Sequence, residues 1–156
     1  MKEILLSQGK VTLVDDDDFI RLNKYKWHYC QGYARRNEYR NGKRSSYKMM
    51  ILKAPPGMVV DHINGNSLDN QKKNLRICTP KENMRNKKKR VTNTSGYKGV
   101  SWSSAVKKWR VQINIDNKVI NLGCHKNIIE AAMIYNLAAK KYHKEFARLN
   151  DIPNCG

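Results

Sequence analysis

Residues 58–86, MVVDHINGNSLDNQKKNLRICTPKENMRN, constrain the fold more than any other stretch of this chain. Two short apolar runs, Met58 to Val60 and Leu75 to Cys78, flank INGNSLDN, whose Asn, Asp and Gly content suits a tight loop. Thr79-Pro80 with Glu82 then opens a helix. Thr79 is its predicted N-cap, Pro80 takes the first helical position and Glu82 completes a capping box. Strand, loop, strand and helix in that order return Asn83 and Asn86 toward Asp61 and His62. A carboxylate, an imidazole and an amide oxygen gathered there suffice to hold one divalent metal and to activate water beside a phosphate.

The charge says what kind of phosphate. Lys and Arg number 31 against 13 Asp and Glu, a formal charge of +18 on 156 residues, and a polyanion relieves that self-repulsion. Nucleic acid is the expected partner. With 40% hydrophobic residues, the chain supports modest cores, in one ordinary domain or in two or three small modules. No apolar run approaches the roughly 20 residues of a membrane span, and the apolar stretch of MKEILLSQGK is too short for a signal peptide, so no membrane partner and a soluble, cytoplasmic protein are expected. Cys30, Cys78, Cys124 and Cys155 form no Cys-x-x-Cys pair, which argues against a zinc ribbon or a disulfide framework. Cys78 and Cys124, with apolar neighbours, read as small core residues.

Charge is uneven along the chain. Residues 1–60 carry 12 basic and 6 acidic side chains, a net of +6, whereas residues 61–156 carry 19 and 7, a net of +12. Lys87, Lys88, Lys89 and Arg90 form a basic run suited to backbone phosphates. The VTNTS that follows has little means of packing and reads as a linker over residues 91–95. The expected organisation is a β-rich region over 1–50, the strand–loop–strand–helix module over 51–90, the linker, a second module over 96–150 and a tail over 151–156. The fold class is α+β.

In the first third, EILLS and KVTLV read as a hairpin split by Gln8-Gly9, and FIRLNKY as a short helix capped by Asp15 or its neighbours. The four aspartates from Asp15 to Asp18 are weighed as a metal site and set aside, because consecutive carboxylates do not face one point. Trp27, Tyr29, Tyr33 and Tyr39 alternate with polar residues as in a strand. Asn41-Gly42 supplies a turn, and RSSYKMMIL reads as the return strand.

The combination of a valine strand, Asp61-His62, an Asn-Gly loop, Asn74-Leu75-Arg76 and Asn83-x-x-Asn86 resembles the HNH endonuclease family in a His-Asn-Asn variant, over about residues 58–88. The resemblance implies catalytic roles for His62, Asn74 and Asn83. His62 would be the general base that takes a proton from the attacking water, a task that suits an imidazole near neutral pH. Asp61 and Asn83 would ligate one divalent metal. Asn74 would brace the loop and orient His62. Asn83 stands where many members have a second histidine, which favours an oxygen-preferring cation, Mg2+ first and Mn2+ second. Arg76 and Arg85 would steady the phosphate, and Asn70 and Asn86 would brace loop and helix. His28, His125 and His143 lack carboxylate or cysteine partners at ligand spacing and read as packing or surface residues.

The last third carries a separate pattern. GYKGVSWSSAVKKWRVQINIDNKVINLGCH predicts strands at Lys98 to Trp102, Trp109 to Ile115 and Val119 to Leu122, with Asp116-Asn117 as a hairpin turn. Ile128, Ala131, Ala132, Tyr135, Ala138, Ala139 and Tyr142 fall at helical spacing, with Asn127 as N-cap and Glu130 three residues on. The alanines permit a close approach of helix to sheet. Together with GYKGV, Leu122-Gly123 and FARLN, this pattern resembles the ethylene-response-factor (APETALA) DNA-binding domain over about residues 96–150. That family lays its sheet in the major groove. The corresponding residues are Lys98, Ser101, Gln112, Asn114, Val119 and Asn121, with Trp102 and Lys107 in the first turn, and Arg110 and Lys108 for phosphates. Several family arginines are replaced, so the plant family's target sequence does not carry over. Trp109 reads as packed against the helix.

The two resemblances imply a site-directed, metal-dependent DNA endonuclease of the free-standing homing type, carried by phages or other mobile elements. It would act on double-stranded DNA as a monomer that nicks one strand, with a dimer as the second option. The alternative is a sequence-specific DNA-binding regulator without catalysis.

Overall fold

The computed structural model describes residues 1–89 and 91–153. Arg90 of the basic run and Cys155 lie outside them. The contacts divide the chain into Met1–Pro80 and a second compact unit that starts at Lys81. This division differs from the boundaries expected at residues 50, 90 and 95. Hydrogen bonds tie the first hairpin to the Asn-rich loop, and others fold the expected linker onto the second sheet. Composition registers neither set of contacts.

In the first unit, β1 (Lys2–Leu5) and β2 (Val11–Val14) pair antiparallel from Lys2↔Val14 to Leu5↔Val11. Gln8 and Gly9 turn the chain in the left-handed region, with φ of 62° and 63°. The helix α1 (Asp16–Leu22) follows, then the antiparallel sheet β3 (His28–Cys30), β4 (Tyr33–Arg40) and β5 (Lys43–Lys48). Asn41 and Gly42, at φ 50° and 72°, make the expected turn between β4 and β5. The return strand ends at Lys48, before the predicted limit, because Met49 turns into a core of Ile4, Leu6, Val14, Leu22, Trp27 and Ala34. Trp27 enters that core by donating its indole N–H to Leu22 O at 2.8 Å. The hairpin β6 (Val59–His62) and β7 (Leu75–Cys78) completes the unit, with Asp61 opposite Arg76 and His62 opposite Leu75.

Asp15 occupies the N-cap position of α1 without a side-chain capping bond. Its Oδ2 accepts instead from Lys72 N at 2.7 Å. The helix α2 (Pro80–Asn86) begins where expected. Apart from its first residue it counts with the second unit.

That unit adds β8 (Val100–Ser103), β9 (Lys108–Ile115) and β10 (Lys118–His125), antiparallel in the order β10-β9-β8, and the helix α3 (Ile128–His143). Asp116 and Asn117, at φ 49° and 65°, form the predicted tight turn. Asn127 caps α3, accepting from Ile129 N at 2.7 Å and Glu130 N at 3.3 Å, a contact worth about 1 kcal/mol. Val100, Val111 and Ile113 pack on Ala131, Ala132, Tyr135, Ala138 and Ala139. The approach is so close that a Cβ at Gly99, where φ is +76°, would stand 2.1 Å from the Tyr135 ring and 2.8 Å from Gln112 O. Burial pushes the Tyr135 hydroxyl up to about 12.

Two motif ends meet at Asn150. Its side chain accepts from Lys98 N at 2.6 Å, and its backbone N–H donates to Asn136 Oδ1 at 2.8 Å, linking the approach to β8 with α3. The expected linker is held by Asn93, whose amide donates to Tyr97 O at 2.9 Å, and by Ser95 Oγ, which donates to Val100 O at 2.8 Å.

Two expectations need correction here. Tyr142 is exposed and His143 is buried in its stead, its Nε2–H donating to Asn114 O at 2.9 Å. Burial holds the His143 imidazole below its usual range. Cys124 is exposed, because a register shift between Asn121 and Cys124, with Gly123 at φ +104°, turns it out of the core. Cys30, Cys78 and Cys124 are free thiols, Cys78 being buried as expected.

Candidate active site and its basic surroundings

β6 carries Asp61 and His62 into the INGNSLDN loop, and buried polar contacts fix that loop. Asn74, 6% exposed, accepts from Asn64 N at 2.9 Å and donates to Asp69 O at 2.8 Å. Asp69 accepts from Asn64 Nδ2 at 2.8 Å and from Gln71 Nε2 at 2.7 Å. The first hairpin supports the loop from outside it. Leu13 N donates to Leu68 O at 2.9 Å, Asn70 N to Leu13 O at 2.8 Å, and the fully buried Thr12 hydroxyl to Leu68 O at 2.7 Å. Buried polar groups that satisfy one another in this way hold one conformation, since any alternative leaves some of them unpaired.

His62 Nε2–H donates to Asn70 Oδ1 at 3.2 Å, and Asn70 Nδ2 donates in turn to Thr12 Oγ1 at 2.9 Å. The partner that orients the imidazole is therefore Asn70. Asn74 braces the loop, one of the two tasks expected of it. In this contact Nε2 carries the hydrogen, because an amide oxygen can only accept. Asp61, 6% exposed, receives Arg76 Nε at 2.9 Å and Nη2 at 2.8 Å on its Oδ2. Arg76 was expected at the phosphate, but its guanidinium lies on the carboxylate opposite it in register.

Asn83 and Asn86 lie on α2, Asn83 half-buried and Asn86 buried. Within the second unit, α2 is fastened to the sheet. Lys98 Nζ donates to Arg85 O at 2.6 Å and Lys87 O at 2.7 Å, and Arg85 Nη2 pairs with Asp116 Oδ1 at 3.1 Å. Burial, with Arg148 nearby, brings the Lys98 ammonium down to about 8. Two residues expected at DNA thus have partners inside the fold. Lys87, Lys88 and Lys89 are exposed and help to line a cleft of about 580 Å³. Lys89 Nζ also donates to Gly96 O at 2.7 Å.

On the sheet, Val111 and Ile113 face α3, so Arg110, Gln112 and Asn114 face outward. Register sets Ser101 beside Arg110, Asn121 beside Gln112 and Val119 beside Asn114, which places all six on one outer face. Lys107 is exposed in the turn between β8 and β9. Trp102 differs. It lies opposite Trp109, on the helix side of the sheet, and meets it edge-on with ring centroids 5.0 Å apart. Trp109 packs on the core as expected.

Asp15, Asp17 and Asp18 each bring a carboxylate oxygen within 4.8 Å of the others, a spacing at which a divalent cation could be held. Against the expectation that consecutive carboxylates do not face one point, the helix start folds three of them together. Lys72 Nζ pairs with Asp17 and with Asp18, and Arg21 pairs with Asp18 at 2.7 Å. The hydrogen bond from Lys72 holds the Asp17 carboxyl below its usual range.

The sequence profile described as HNH endonuclease matches residues 53–85, from the approach to β6 into α2. Protein 3.8 of Escherichia phage T7 is 39% identical over 94 residues, 60% of this chain and 77% of that protein. The protein L560 of Acanthamoeba polyphaga mimivirus, named as an uncharacterized HNH endonuclease, is 35% identical over 156 residues, 95% of this chain and 80% of its own length. YosQ of the SPbeta prophage in Bacillus subtilis strain 168, provisionally named as an HNH homing endonuclease, is 37% identical over 90 residues, 58% of this chain and 50% of that protein. No solved structure matches. The chain belongs to the HNH endonuclease family. The profile match ends before the second sheet. No helix among the described residues is long and apolar enough to cross a membrane.

Proposed function

We propose that this protein is a metal-dependent DNA endonuclease of the homing type that nicks double-stranded DNA at chosen sites, with His62 as general base. The observation that carries this reading is the buried network that fixes the loop into which β6 delivers Asp61 and His62. Asn70 Oδ1 accepts a hydrogen bond from Nε2–H and orients the imidazole, and His62 takes a proton from the attacking water. The resulting hydroxide attacks phosphorus, the bond to the 3′ oxygen breaks, and Asn70 Oδ1 steadies the imidazolium that forms. The donor set fits one hard cation. Asp61 offers a buried carboxylate held in place by Arg76, and the family resemblance adds the amide oxygen of Asn83, a pairing that favours Mg2+ and then Mn2+. When bound, such a cation supplies stabilisation of the negative charge that develops at the scissile phosphate.

The outer face of β8–β10 is the proposed reader, in the manner of the ethylene-response-factor domain. Arg110 and Lys107 would address phosphates, and Gln112, Asn114, Asn121 and Ser101 would address base edges. Lys87, Lys88, Lys89 and Arg90 would follow the DNA backbone. One such site per chain suits nicking by a monomer.

The test is supercoiled plasmid or the DNA that flanks the coding region, incubated with Mg2+ or with chelator. Nicking that requires the metal and is lost in His62→Ala, with DNA binding retained, is the expected result. Unchanged nicking by a clean His62→Ala preparation would overturn the assignment. Binding without nicking by the wild type would favour the regulator.

A further inference from the structure

The sheet β3–β5 of the first unit has no part in the site or the reader, yet it is the most lopsided surface of that unit in charge. Between Lys24 and Lys48 the chain carries eight lysines and arginines against one carboxylate, Glu38, while residues 1–23 carry three against five acids. The structure sorts these charges by side. Ala34 points into the core, so Arg36 and Glu38 share its side of β4. There the two form an ion pair, and the Arg36 guanidinium stacks on Tyr25 at 3.9 Å from the ring centroid. The one acid is thereby neutralised on the core side.

The outer side alternates with it and holds Tyr33, Arg35, Asn37 and Tyr39 of β4. Register sets Lys48 beside Arg35, Ser46 beside Asn37 and Arg44 beside Tyr39. No carboxylate of the described residues in these three strands lies on that side. Arg44, Ser46 and Tyr39 are exposed, and Lys48 lies over the Tyr33 ring at 3.9 Å. Arg44 and Lys48 stand about 13 Å apart along β5 by strand geometry, enough to meet phosphates several steps apart. Arg35 Nε and Asn37 Oδ1 on this side are buried, so the surface itself is offered by Arg44 and Lys48.

We infer that the outer face of β3–β5 is a second DNA-binding surface, which holds the sugar-phosphate backbone of the duplex through Arg44 and Lys48, independently of the proposed β8–β10 reader. The inference takes its ligand from the endonuclease reading, and charge complementarity commits the face to a polyanion. Contacts of this kind position the protein without reading sequence.

The experiment measures the affinity of the full chain for a duplex of unrelated sequence, in chelator, as a function of salt. Arg44→Gln with Lys48→Gln removes two exposed side chains that the core does not need. Each lost phosphate contact reduces the log–log salt slope by about 0.9, so the slope should fall by about 2 and the loss of affinity between roughly 50 and 200 mM salt should shrink by about tenfold. Lys2→Gln with Lys10→Gln removes equal charge elsewhere in the unit and should leave the slope nearly unchanged. An unaltered slope in the β5 variant, or an equal fall in both variants, would overturn the inference. Because no cleavage is measured, a wild type that binds but does not nick would sink the endonuclease reading and leave this surface standing.

Discussion

The two units hold their functional side chains by opposite means. In the first, Asp61 and His62 depend on a buried polar network in which Asn64, Asp69, Asn70, Asn74 and Thr12 satisfy one another. In the second, the proposed reading residues simply alternate outward from strands whose inward residues pack on an alanine-lined helix. The first arrangement fixes one geometry and leaves little room for change, as chemistry at a single bond requires. The second leaves the outer side chains free to vary without disturbing the core, as a surface that must match a particular DNA sequence requires.

This contrast can be broken most severely at His62. His62→Ala should lower the nicking rate by about 10²–10⁴-fold while DNA affinity stays within a few fold, read from plasmid nicking and gel shift on the same preparation. Asn70→Ala should lower the rate by a smaller factor and also destabilise the first unit by about 1–3 kcal/mol, because Thr12 and the imidazole lose a buried partner. A denaturant titration that showed no loss of stability would mean that the network is not what holds the loop. In the second unit the comparable weakness is apolar. Gly99→Ala should cost about 2–3 kcal/mol, through contact with Tyr135 and a left-handed backbone, and should broaden or lower the melting transition.

Reader substitutions should act on choice and leave stability alone. Gln112→Ala with Asn114→Ala should change discrimination between sites by about 1–3 kcal/mol, with low-level nicking retained. If site preference persisted, the outer face would not be the reader. The smallest effect concerns pH. Lys98 binds its proton more weakly in the folded protein than in the unfolded chain, so the folded state bears a cost below pH 8 that is relieved as pH rises from about 8 toward the unfolded value. Wild-type stability relative to Lys98→Met should therefore rise across that window, measured by thermal unfolding at several pH values.

Much of this architecture could be read from turn chemistry. Gln8-Gly9, Asn41-Gly42 and Asp116-Asn117 marked their hairpins, and Thr79-Pro80 marked the start of α2, because these residues act on their own backbone. The place of Asp61 and His62 at the end of β6 was legible for the same reason, as they enter a loop whose composition announces it. Long-range partners were not legible. Nothing local shows that Asn70, eight residues from His62, is its partner, that Lys72 answers aspartates over fifty residues away, or that Arg76 turns to Asp61. The bulge after Asn121 likewise moved Cys124 to the surface against its apolar neighbourhood. The basic run suggested a boundary near residue 90, whereas the contacts within the chain divide it after Pro80.

The Lys98 bridge to the end of α2 bears on how such proteins exchange parts. A recombination event that joined a foreign reader at residue 96 would separate Lys98 from its natural Arg85 and Lys87 carbonyls and leave the recipient helix without its fastening. A junction at residue 81 would transfer helix, bridge and sheet intact. On the proposed reading of the β8–β10 face, new target preferences should therefore be inherited together with α2, with breakpoints near the end of β7.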